Sequence, residues 1–536
     1  LGDPIEAGAL AAVFAPGRQR PLYLGSAKAN LGHTQAAAGV AGVMKLVLSL
    51  QQEQLPRTLH AEEPSPHIAW QGSGLALLQQ AQPWPRSERV RRAGVSSFGI
   101  SGTNAHVILE EAPPAPLAKV APEGGWLPLA LSGKSAAALR AQAAQLAAHL
   151  AQHEEQPLGD IAYTLAVGRE PLPHRLVVVT RSRARLREEL EAVARGEERG
   201  AVVAATADHS GMLGWIFTGQ GAQRVGMGQE LYREWEVFRR ELDRVCEVMD
   251  KELGRPLKGV MWAGAGSEKL LDQTMYTQAA TFAVQWALAE QWRAFGVEPE
   301  VVMGHSVGEI TAACVAGVME VKEGARMVAA RGRLMQALPA GGAMVAVEAA
   351  ESVVAAALPA AGVELAAVNG ARAVVIAGDE PAVMAVAAQL AASGIRSQRL
   401  RVSHAFHTAR MEPMLEPFRQ AAATVRYQAP RLALVSSVSG ALAGSELATA
   451  QYWAQQVRAP VRFADGVRAM QQLGVTRFLE LGPQAALLGL VGADESGHEP
   501  LRWAALRRGR PETTAMLEAL AGFYTAGGEV NWQGVF

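Results

Sequence analysis

The pentapeptide GHSVG at residues 304–308 has the G-x-S-x-G pattern of a nucleophile elbow. It follows the apolar run VVM at 301–303 and precedes the stretch EITAA at 309–313, an arrangement that predicts a strand, a sharp turn and a helix. In that geometry Ser306 lies in a strained turn, with its hydroxyl exposed and backbone N–H groups of a helix N-terminus around it. A purely structural turn is the alternative, and the flanking strand and helix favour a serine enzyme.

Composition narrows the class of protein. The chain has 536 residues, 49% of them hydrophobic and 19% charged, which predicts about three or four soluble domains. Its net charge of −1 gives no electrostatic support for a nucleic-acid or membrane partner. Cys246 and Cys314 lack the spacing of a metal or redox site, and we see no signal peptide, so we expect a cytoplasmic setting. The start, LGDP, resembles the middle of a domain and predicts a piece of a longer protein.

The first two regions differ in pattern. Residues 1–111 have an α/β pattern, with a helix at 34–51 that should be buried because it is apolar nearly all round. A proline-rich exit, APPAP at 112–116, ends this region. Residues 112–211 then alternate strands with an alanine-rich and a charged helix, which predicts a small α+β module.

The remaining chain carries the elbow. We predict an α/β domain over 212–491, and within it residues 340–402 have the β-α-β-β-α-β order of a ferredoxin-like insert. The insert divides the larger part into 212–339 and 403–491. Residues 492–536 contain one predicted helix, 512–524. We therefore expect a multidomain α/β protein.

A serine hydroxyl needs a general base near neutral pH. His305 is adjacent to Ser306, but neighbours on an elbow point in different directions, so local packing is expected for it. His404 and His407 follow a predicted strand, where a divided domain could return to the elbow. We prefer His407 as the base, with a surface or structural histidine equally open on this evidence.

Arg331 lies on the apolar stripe of the helix predicted around 325–336. An arginine there must have a partner, because a buried unpaired guanidinium is costly. The partner is either a carboxylate of the fold, which periodicity alone slightly favours, or a substrate carboxylate bound by both arms of the guanidinium.

Together, five motifs resemble the acyltransferase domain of modular type I polyketide synthases. They are FTGQGAQ at 217–223, GHSVGE at 304–309, ARG at 330–332, HAFH at 404–407 and RAPVRF at 458–463. In that family the serine takes an acyl group from coenzyme A and passes it to the phosphopantetheine thiol of an acyl carrier protein. The resemblance implies that Ser306 is the nucleophile, His407 the base and Arg331 the ligand of a free malonyl carboxylate.

The same resemblance implies further roles. Backbone N–H groups of Gln220 and Val307 would form the oxyanion hole, and a main-chain carbonyl near Gln456 would orient His407. The chain would bind no cofactor and no metal of its own. Phosphopantetheine would come from the carrier protein and malonyl-CoA would be the substrate.

Extender choice follows from the HAFH motif. Malonyl-type members tend to carry HAFH where methylmalonyl types carry YASH, so His404 and Phe406 indicate a malonyl enzyme. Val307, where methylmalonyl types usually have glutamine, agrees. Because one methyl group is worth only about 1–3 kcal/mol in a pocket, we expect a preference for malonyl with some leakage.

Residues 1–111 resemble the C-terminal part of a ketosynthase of the thiolase fold, through GDPIEA at 2–7, SAKANLGH at 26–33 and FGISGTNAH at 98–106. Lys28 and His33 occupy the family's lysine and histidine positions. The nucleophilic cysteine lies upstream of this segment in the family, so we expect no ketosynthase activity from this chain alone. A half fold should also expose apolar surface.

The resemblance also assigns the other regions and the partners. Residues 112–211 would be the ketosynthase–acyltransferase linker and 492–536 the linker after the acyltransferase. The partners would be malonyl-CoA, an acyl carrier protein and the rest of the synthase module. Alternatives are an acyltransferase for methylmalonyl or another extender, a serine thioesterase or hydrolase, and a docking scaffold with a vestigial site.

Overall fold

The computed structural model describes residues 2–100, 102–113, 124–197, 202–208, 210–262, 268–402 and 404–536. It contains two compact units, Leu1–Lys119 and Val120–Phe536. Three predicted features fall partly outside the described residues: Ser101 of the FGISGTNAH motif, residues 114–116 of the proline-rich exit, and Ser403 at the predicted end of the insert.

The first unit is built from short elements. In chain order they are α1 (Gly2–Phe14), β1 (Leu22–Leu24), α2 (Lys28–Leu31), α3 (Ala38–Gln51), β2 (Gln54–Leu55), β3 (Leu75–Leu77), β4 (Gln82–Pro83), β5 (Arg92–Phe98) and β6 (Asn104–Glu110). The strands form three two-stranded sheets: β1 with β3, β2 with β4, and β5 with β6. Large apolar side chains stay exposed on this unit, as expected, among them Ile5, Leu31 and Ile108.

The prediction that α3 is buried is wrong. Val40 and Met44 are each 61% exposed, and Ser49 is the one buried residue of the helix. The reason is the position of the two glycines of the helix: a Cβ at Gly39 or Gly42 would lie within 3.2 Å of β5. The small face therefore packs on β5, and the larger side chains of Val40 and Met44 point away from it.

The second unit begins with β7 (Leu127–Gly133), α4 (Ala136–Gln152), α5 (Leu158–Val167), β8 (His174–Thr180), α6 (Arg183–Ala194) and β9 (Val202–Thr206). The three strands form an antiparallel sheet in the order β7-β8-β9. Ser135 and Ser182 cap α4 and α6, each accepting a hydrogen bond from a backbone N–H of the first turn. The predicted strands and the two predicted helices are confirmed, whereas α5 was not predicted.

The next elements lead to and from the elbow. They are β10 (Met212–Phe217), α7 (Gln229–Glu234), α8 (Glu236–Leu253), α9 (Leu257–Trp262), α10 (Glu268–Leu271), α11 (Thr274–Ala294), β11 (Val301–Gly304), α12 (Gly308–Val315) and α13 (Val321–Gln336). The predicted strand, turn and helix around Ser306 are present as β11 and α12.

A four-stranded antiparallel sheet follows, with two helices and its own apolar core. Its elements are β12 (Gly342–Val347), α14 (Glu351–Ala357), β13 (Val363–Gly370), β14 (Ala373–Asp379), α15 (Glu380–Ala392) and β15 (Ser397–Arg399). The strand order is β13-β14-β12-β15. The predicted order of elements is present, and the last strand ends at Arg399 rather than at residue 402.

The chain then returns to the larger sheet through α16 (Glu412–Ala422), β16 (Ala433–Val435), α17 (Ala450–Arg458), α18 (Phe463–Gln472), β17 (Val475–Leu481), β18 (Leu501–Ala504) and α19 (Glu512–Thr525). That sheet is parallel, in the order β16-β11-β10-β17-β18. Phe217 at the end of β10 pairs with Gly304 at the end of β11. The loops after these two strands therefore meet at one edge of the sheet, where α/β proteins bind ligands.

Candidate active site

The elbow places Ser306 in left-handed backbone, with φ of 53°. Residues other than glycine seldom adopt this conformation, which is typical of strained functional turns. A Cβ at Gly304 would lie 2.1 Å from the Glu309 nitrogen, and one at Gly308 would lie 2.5 Å from the Phe217 oxygen. Both glycines of the motif are therefore required by close packing.

His407 lies within hydrogen-bond distance of the serine. Its Nε2 is 2.8 Å from Ser306 Oγ, and its Nδ1 is 2.8 Å from the carbonyl oxygen of Ala459. Because a carbonyl can only accept, Nδ1 carries the proton and Nε2 is free to accept one from the serine. His407 also has positive φ, 58°. The arrangement can activate the hydroxyl by general-base catalysis.

The environment keeps this imidazole neutral. Burial lowers the pKa of His407 to about 3, and the positive charge of Arg331 acts in the same direction, while the Ala459 carbonyl opposes both. The neutral form, which is the one that can accept a proton, therefore persists from neutral to mildly acidic pH.

The orienting carbonyl, expected near Gln456, belongs to Ala459, three residues further along the chain. His407 Nδ1 donates its hydrogen bond to this carbonyl, and the carbonyl of Gln456 also raises the pKa of His407. Ala459 caps the C-terminus of α17, where carbonyls have no donor inside the helix. The side chain of Gln456 instead donates from Nε2 to the backbone oxygen of Ser306 at 2.7 Å.

Arg331 is 1% exposed and points at the serine. Its Nη2 donates to Ser306 Oγ at 3.2 Å and its Nη1 to Gln278 Oε1 at 2.8 Å. Within the described ranges it forms no ion pair with a carboxylate, and its Nε has no acceptor. Burial lowers the pKa of Arg331 to about 9, and the negative charge of Glu309 partly opposes this. Of the two partners considered for Arg331, the carboxylate of the fold is that of Glu309, and it affects the guanidinium only through its charge.

Glu309 is a residue to which the sequence assigned no role. It is fully buried and accepts hydrogen bonds from the backbone N–H of Ser437 at 2.8 Å, from Ser437 Oγ at 2.5 Å and from the Tyr452 hydroxyl at 2.5 Å. Burial raises the pKa of Glu309 despite these donors. The sequence does contain a sign of this role: Glu309 lies in the first turn of an otherwise apolar helix. A carboxylate in that position must find buried hydrogen-bond partners.

The two predicted oxyanion-hole amides lie on adjacent loops. Val307 precedes α12 and Gln220 follows β10, and neither N–H has a hydrogen-bond acceptor among the described residues. A Cβ at Gly219 would lie 3.0 Å from the carbonyl oxygen of His305, so the two loops are in contact. The geometry leaves both N–H groups available to a ligand.

The other predicted histidines and Phe406 make contacts of their own. His305 packs locally, with Nε2 2.9 Å from Asn369 Oδ1, as expected. His404 Nε2 lies 2.9 Å from the carbonyl oxygen of Leu338. Phe406 is 7% exposed, and its ring centroid is 6.1 Å from that of His404.

In the first unit, Lys28 and His33 are both exposed, and His33 Nδ1 accepts a hydrogen bond from the backbone N–H of Gln35. The chain's two cysteines, Cys246 and Cys314, are buried in the second unit. The described side chains form no group of three or more His, Cys, Asp and Glu that could hold a metal ion. Within the same ranges, every helix is too short or too polar to cross a lipid bilayer.

A parallel α/β sheet that presents a serine, a neutral histidine and a buried arginine at one edge defines a serine enzyme of the acyl-transfer class. Comparison with known families specifies it further. Residues 214–518 match the acyl transferase domain, residues 130–197 the RhiE-like KS-MAT linker domain, and residues 1–62 the C-terminal domain of beta-ketoacyl synthase. The chain belongs to the type I polyketide synthases, transferases of secondary metabolism, and contains their acyltransferase domain.

Relatives and solved structures agree with this assignment. The chain is 47% identical to polyketide synthase GfsA of Streptomyces halstedii, over 99% of this chain and 7% of that protein. It is also 47% identical to the phenolphthiocerol synthesis polyketide synthase Pks15/1 of Mycobacterium marinum, over 100% of this chain and 26% of that protein. The chain thus spans a small part of the length of these relatives.

Two crystal structures are similar to about three quarters of the chain. The acyltransferase domain from the second module of the salinomycin polyketide synthase is 42% identical, with a TM-score of 0.65, over 76% of this chain and 94% of that domain. The acyltransferase domain of SpnD, in complex with 2-(pent-4-yn-1-yl)malonyl, is 33% identical, with a TM-score of 0.68, over 75% of this chain and 96% of that domain.

Proposed function

We propose that this acyltransferase uses malonyl-CoA: it forms malonyl-Ser306 and transfers the malonyl group to the phosphopantetheine thiol of an acyl carrier protein. One observation carries the proposal. The buried guanidinium of Arg331 lies 3.2 Å from the Ser306 hydroxyl and has no carboxylate of its own in the described structure. A malonyl thioester that presents its carbonyl to Ser306 would bring a carboxylate to this cation.

The chemistry divides into two half-reactions. His407 Nε2 takes the proton of Ser306 as Oγ attacks the thioester carbonyl, and the N–H groups of Val307 and Gln220 stabilise the resulting oxyanion. Collapse of the intermediate releases coenzyme A, whose thiolate receives the proton from His407. In the second half-reaction the carrier thiol gives its proton to His407 and attacks malonyl-Ser306. As the acyl–Oγ bond breaks, His407 returns that proton to Ser306 Oγ and the free serine is restored.

Phe406 and His404 support a preference for malonyl over methylmalonyl. Phe406 is nearly buried beside His404, next to the catalytic histidine in the chain. A phenyl ring there would fill the space that an α-methyl branch needs, and the small side chain of Val307 agrees with a malonyl enzyme. Discrimination by one methyl group is worth about 1–3 kcal/mol, so some methylmalonyl transfer is expected.

We further propose the domain organisation and partners. Residues 340–402 form a ferredoxin-like subdomain within an α/β-hydrolase-like core, 112–211 the linker from the ketosynthase, and 492–536 the linker after the acyltransferase. The ketosynthase segment, 1–111, has no cysteine, so Lys28 and His33 have no nucleophile in this chain to assist. The carrier protein and the rest of the module are the partners.

Intact-protein mass spectrometry tests the proposal. With malonyl-CoA and methylmalonyl-CoA in competition, we expect a persistent malonyl adduct that is absent in Ser306→Ala and that discharges to a carrier-protein thiol. Rapid release of free malonate without transfer would indicate a hydrolase, and no adduct would indicate a scaffold. The orienting group of His407 is a backbone carbonyl, not the acid that follows the serine in hydrolases, which favours transfer.

A further inference from the structure

Helix α11 places two buried glutamines on the side that faces the active site. Gln278 and Gln285 are seven residues apart, two turns of the helix, and therefore share a face. Gln278 accepts a hydrogen bond from Arg331. Gln285 is 0% exposed, and it forms no hydrogen bond with Arg331 or Ser306. Its hydrogen bonds go to Thr218 and Thr311 instead.

The amide of Gln285 bridges two segments of the active site. Its Nε2 donates to the backbone oxygen of Thr218 at 2.7 Å and to Thr218 Oγ1 at 3.0 Å. Its Oε1 accepts a hydrogen bond from Thr311 Oγ1 at 2.8 Å. Both ends of the amide are thus engaged, which leaves the side chain one orientation.

These two segments carry the proposed oxyanion-hole amides. Thr218 lies two residues before Gln220, and Thr311 lies one turn after Val307 on α12. The segments are in close contact, because a Cβ at Gly308 would lie 2.6 Å from the Thr218 oxygen. Fixing the direction of the Thr218 carbonyl fixes the Thr218–Gly219 peptide plane, which lies one plane before the one that carries the Gln220 N–H. One side chain therefore sets the path of both loops relative to each other.

We infer that Gln285 is a positioning residue for acyl transfer, which holds the N–H groups of Gln220 and Val307 at the spacing that the oxyanion requires. The inference rests on the proposed function. Oxyanion donors act within about 0.4 Å of distance, and loss of one costs about 10²–10³ in rate. Displacing a donor costs less than removing it, so we expect a loss of about 10- to 100-fold when Gln285 is replaced.

The test compares two glutamines of the same helix. Gln285→Met removes the bridge at similar side-chain volume. Gln291→Met is the matched control, because Gln291 is 1% exposed and accepts a hydrogen bond from the Phe238 N–H of α8. Single-turnover formation of malonyl-Ser306 from malonyl-CoA gives the rate at saturation, the half-saturating concentration and the pH profile for each protein.

We expect Gln285→Met to lose about 10- to 100-fold in saturating rate, with the half-saturating concentration and the pH profile unchanged, because Arg331 and His407 are intact. Gln291→Met should stay within about threefold of the wild type at equal loss of stability. A Gln285→Met rate within about threefold of the wild type, or an equal loss in Gln291→Met, would overturn the inference.

Thr311→Val is a second, milder variant, which removes only the bond on the α12 side. We expect a loss of about three- to tenfold, and it replaces Gln285→Met if that variant does not fold. A rate equal to that of the wild type would then refute the positioning role. A wild-type protein that forms no malonyl adduct would instead refute the proposed function, so the two failures are distinguishable.

Discussion

Replacing Arg331 with methionine should stabilise the free protein and remove its preference for acyl groups that carry a carboxylate. Methionine keeps a long, unbranched side chain without the charge. The guanidinium is 1% exposed, and its hydrogen bonds go to Gln278 and Ser306, which are both neutral. A buried cation without a contacting counter-ion destabilises the fold until an anionic substrate binds.

The size of the effect follows from the pKa. Burial lowers the pKa of Arg331 from its ordinary value to about 9, so at pH 7 the guanidinium is charged in both the folded and the unfolded protein. At about 1.4 kcal/mol per pH unit, burying the charge costs at most about 5 kcal/mol. Losing the two hydrogen bonds of the guanidinium lowers the free energy of unfolding of the variant by about 1–3 kcal/mol. We expect Arg331→Met to raise the free energy of unfolding by about 2–4 kcal/mol at pH 7.

The sign of the pH dependence is also fixed. The folded-state pKa of Arg331 lies below the unfolded-state value, so above about pH 9 the unfolded protein binds more protons than the folded protein. The free energy of unfolding of the wild type therefore rises relative to that of Arg331→Met as the pH rises above about 9. The advantage of the variant should be largest near neutral pH and below.

The effect on loading has the opposite sign for malonyl-CoA. Two charge-assisted hydrogen bonds to a carboxylate are worth about 1.5–3 kcal/mol each, which gives a loss of about 10²- to 10⁴-fold in kcat/KM. Acetyl-CoA has no carboxylate and loses nothing by this change. The ratio of malonyl to acetyl loading should fall by the same factor.

Denaturant unfolding and intact-mass measurement of acyl-Ser306 check both parts. Arg333→Met is the control, because Arg333 lies on the exposed side of the same helix and pairs with Glu252 at 3.1 Å. It should change neither stability by more than about 0.5 kcal/mol nor selectivity. An Arg331→Met protein that is less stable than the wild type, or that loses malonyl and acetyl loading equally, would refute the reasoning.

Three further predictions concern the rest of the site. Phe406→Ser should raise the ratio of methylmalonyl to malonyl loading by about tenfold, and an unchanged ratio in a competition assay would exclude Phe406 as the selective residue. Because the pKa of His407 is lowered to about 3, the acylation rate should stay flat from about pH 8 to 5 and fall only below that, whereas a half-maximal rate near pH 6.5 would contradict a buried neutral base. Gly308→Ala places a methyl group 2.5 Å from the Phe217 oxygen and should slow acylation by about 10², while Gly489→Ala, with nothing within 4 Å, should leave it unchanged.

The elements could be predicted because their signals are local. The insert's order of strands and helices, the helices that begin after Ser135 and Ser182, and the elbow itself follow from periodicity and turn residues within short windows. The burial of α3 could not be predicted in this way, since it depends on what lies across from each face. Its glycines pack on β5 while Val40 and Met44 face away. The order of the parallel sheet likewise depends on contacts between distant segments.

The site residues also divide into those that side-chain identity could predict and those that depend on where distant segments meet. Ser306, His407 and Arg331 come together as their side chains suggested, because each needs a partner that the others supply. The carbonyl that orients His407 was expected near Gln456, and the hydrogen-bonded carbonyl is that of Ala459, three residues further along the chain. Every residue has a carbonyl, so side-chain identity contains no information about which one is free. That choice is made by where α17 ends.

Glu309 explains how the site tolerates a buried arginine without blocking it. Its negative charge raises the pKa of Arg331 and so offsets part of the cost of burial. Its oxygens are bound by Ser437 and Tyr452, so the carboxylate does not form an ion pair with the guanidinium. A carboxylate in direct contact would stabilise the free enzyme more, but a substrate would then have to displace it. Under the proposed function, selectivity for a carboxylate-bearing acyl group would depend on a counter-charge, that of Glu309, which lies near Arg331 but does not pair with it.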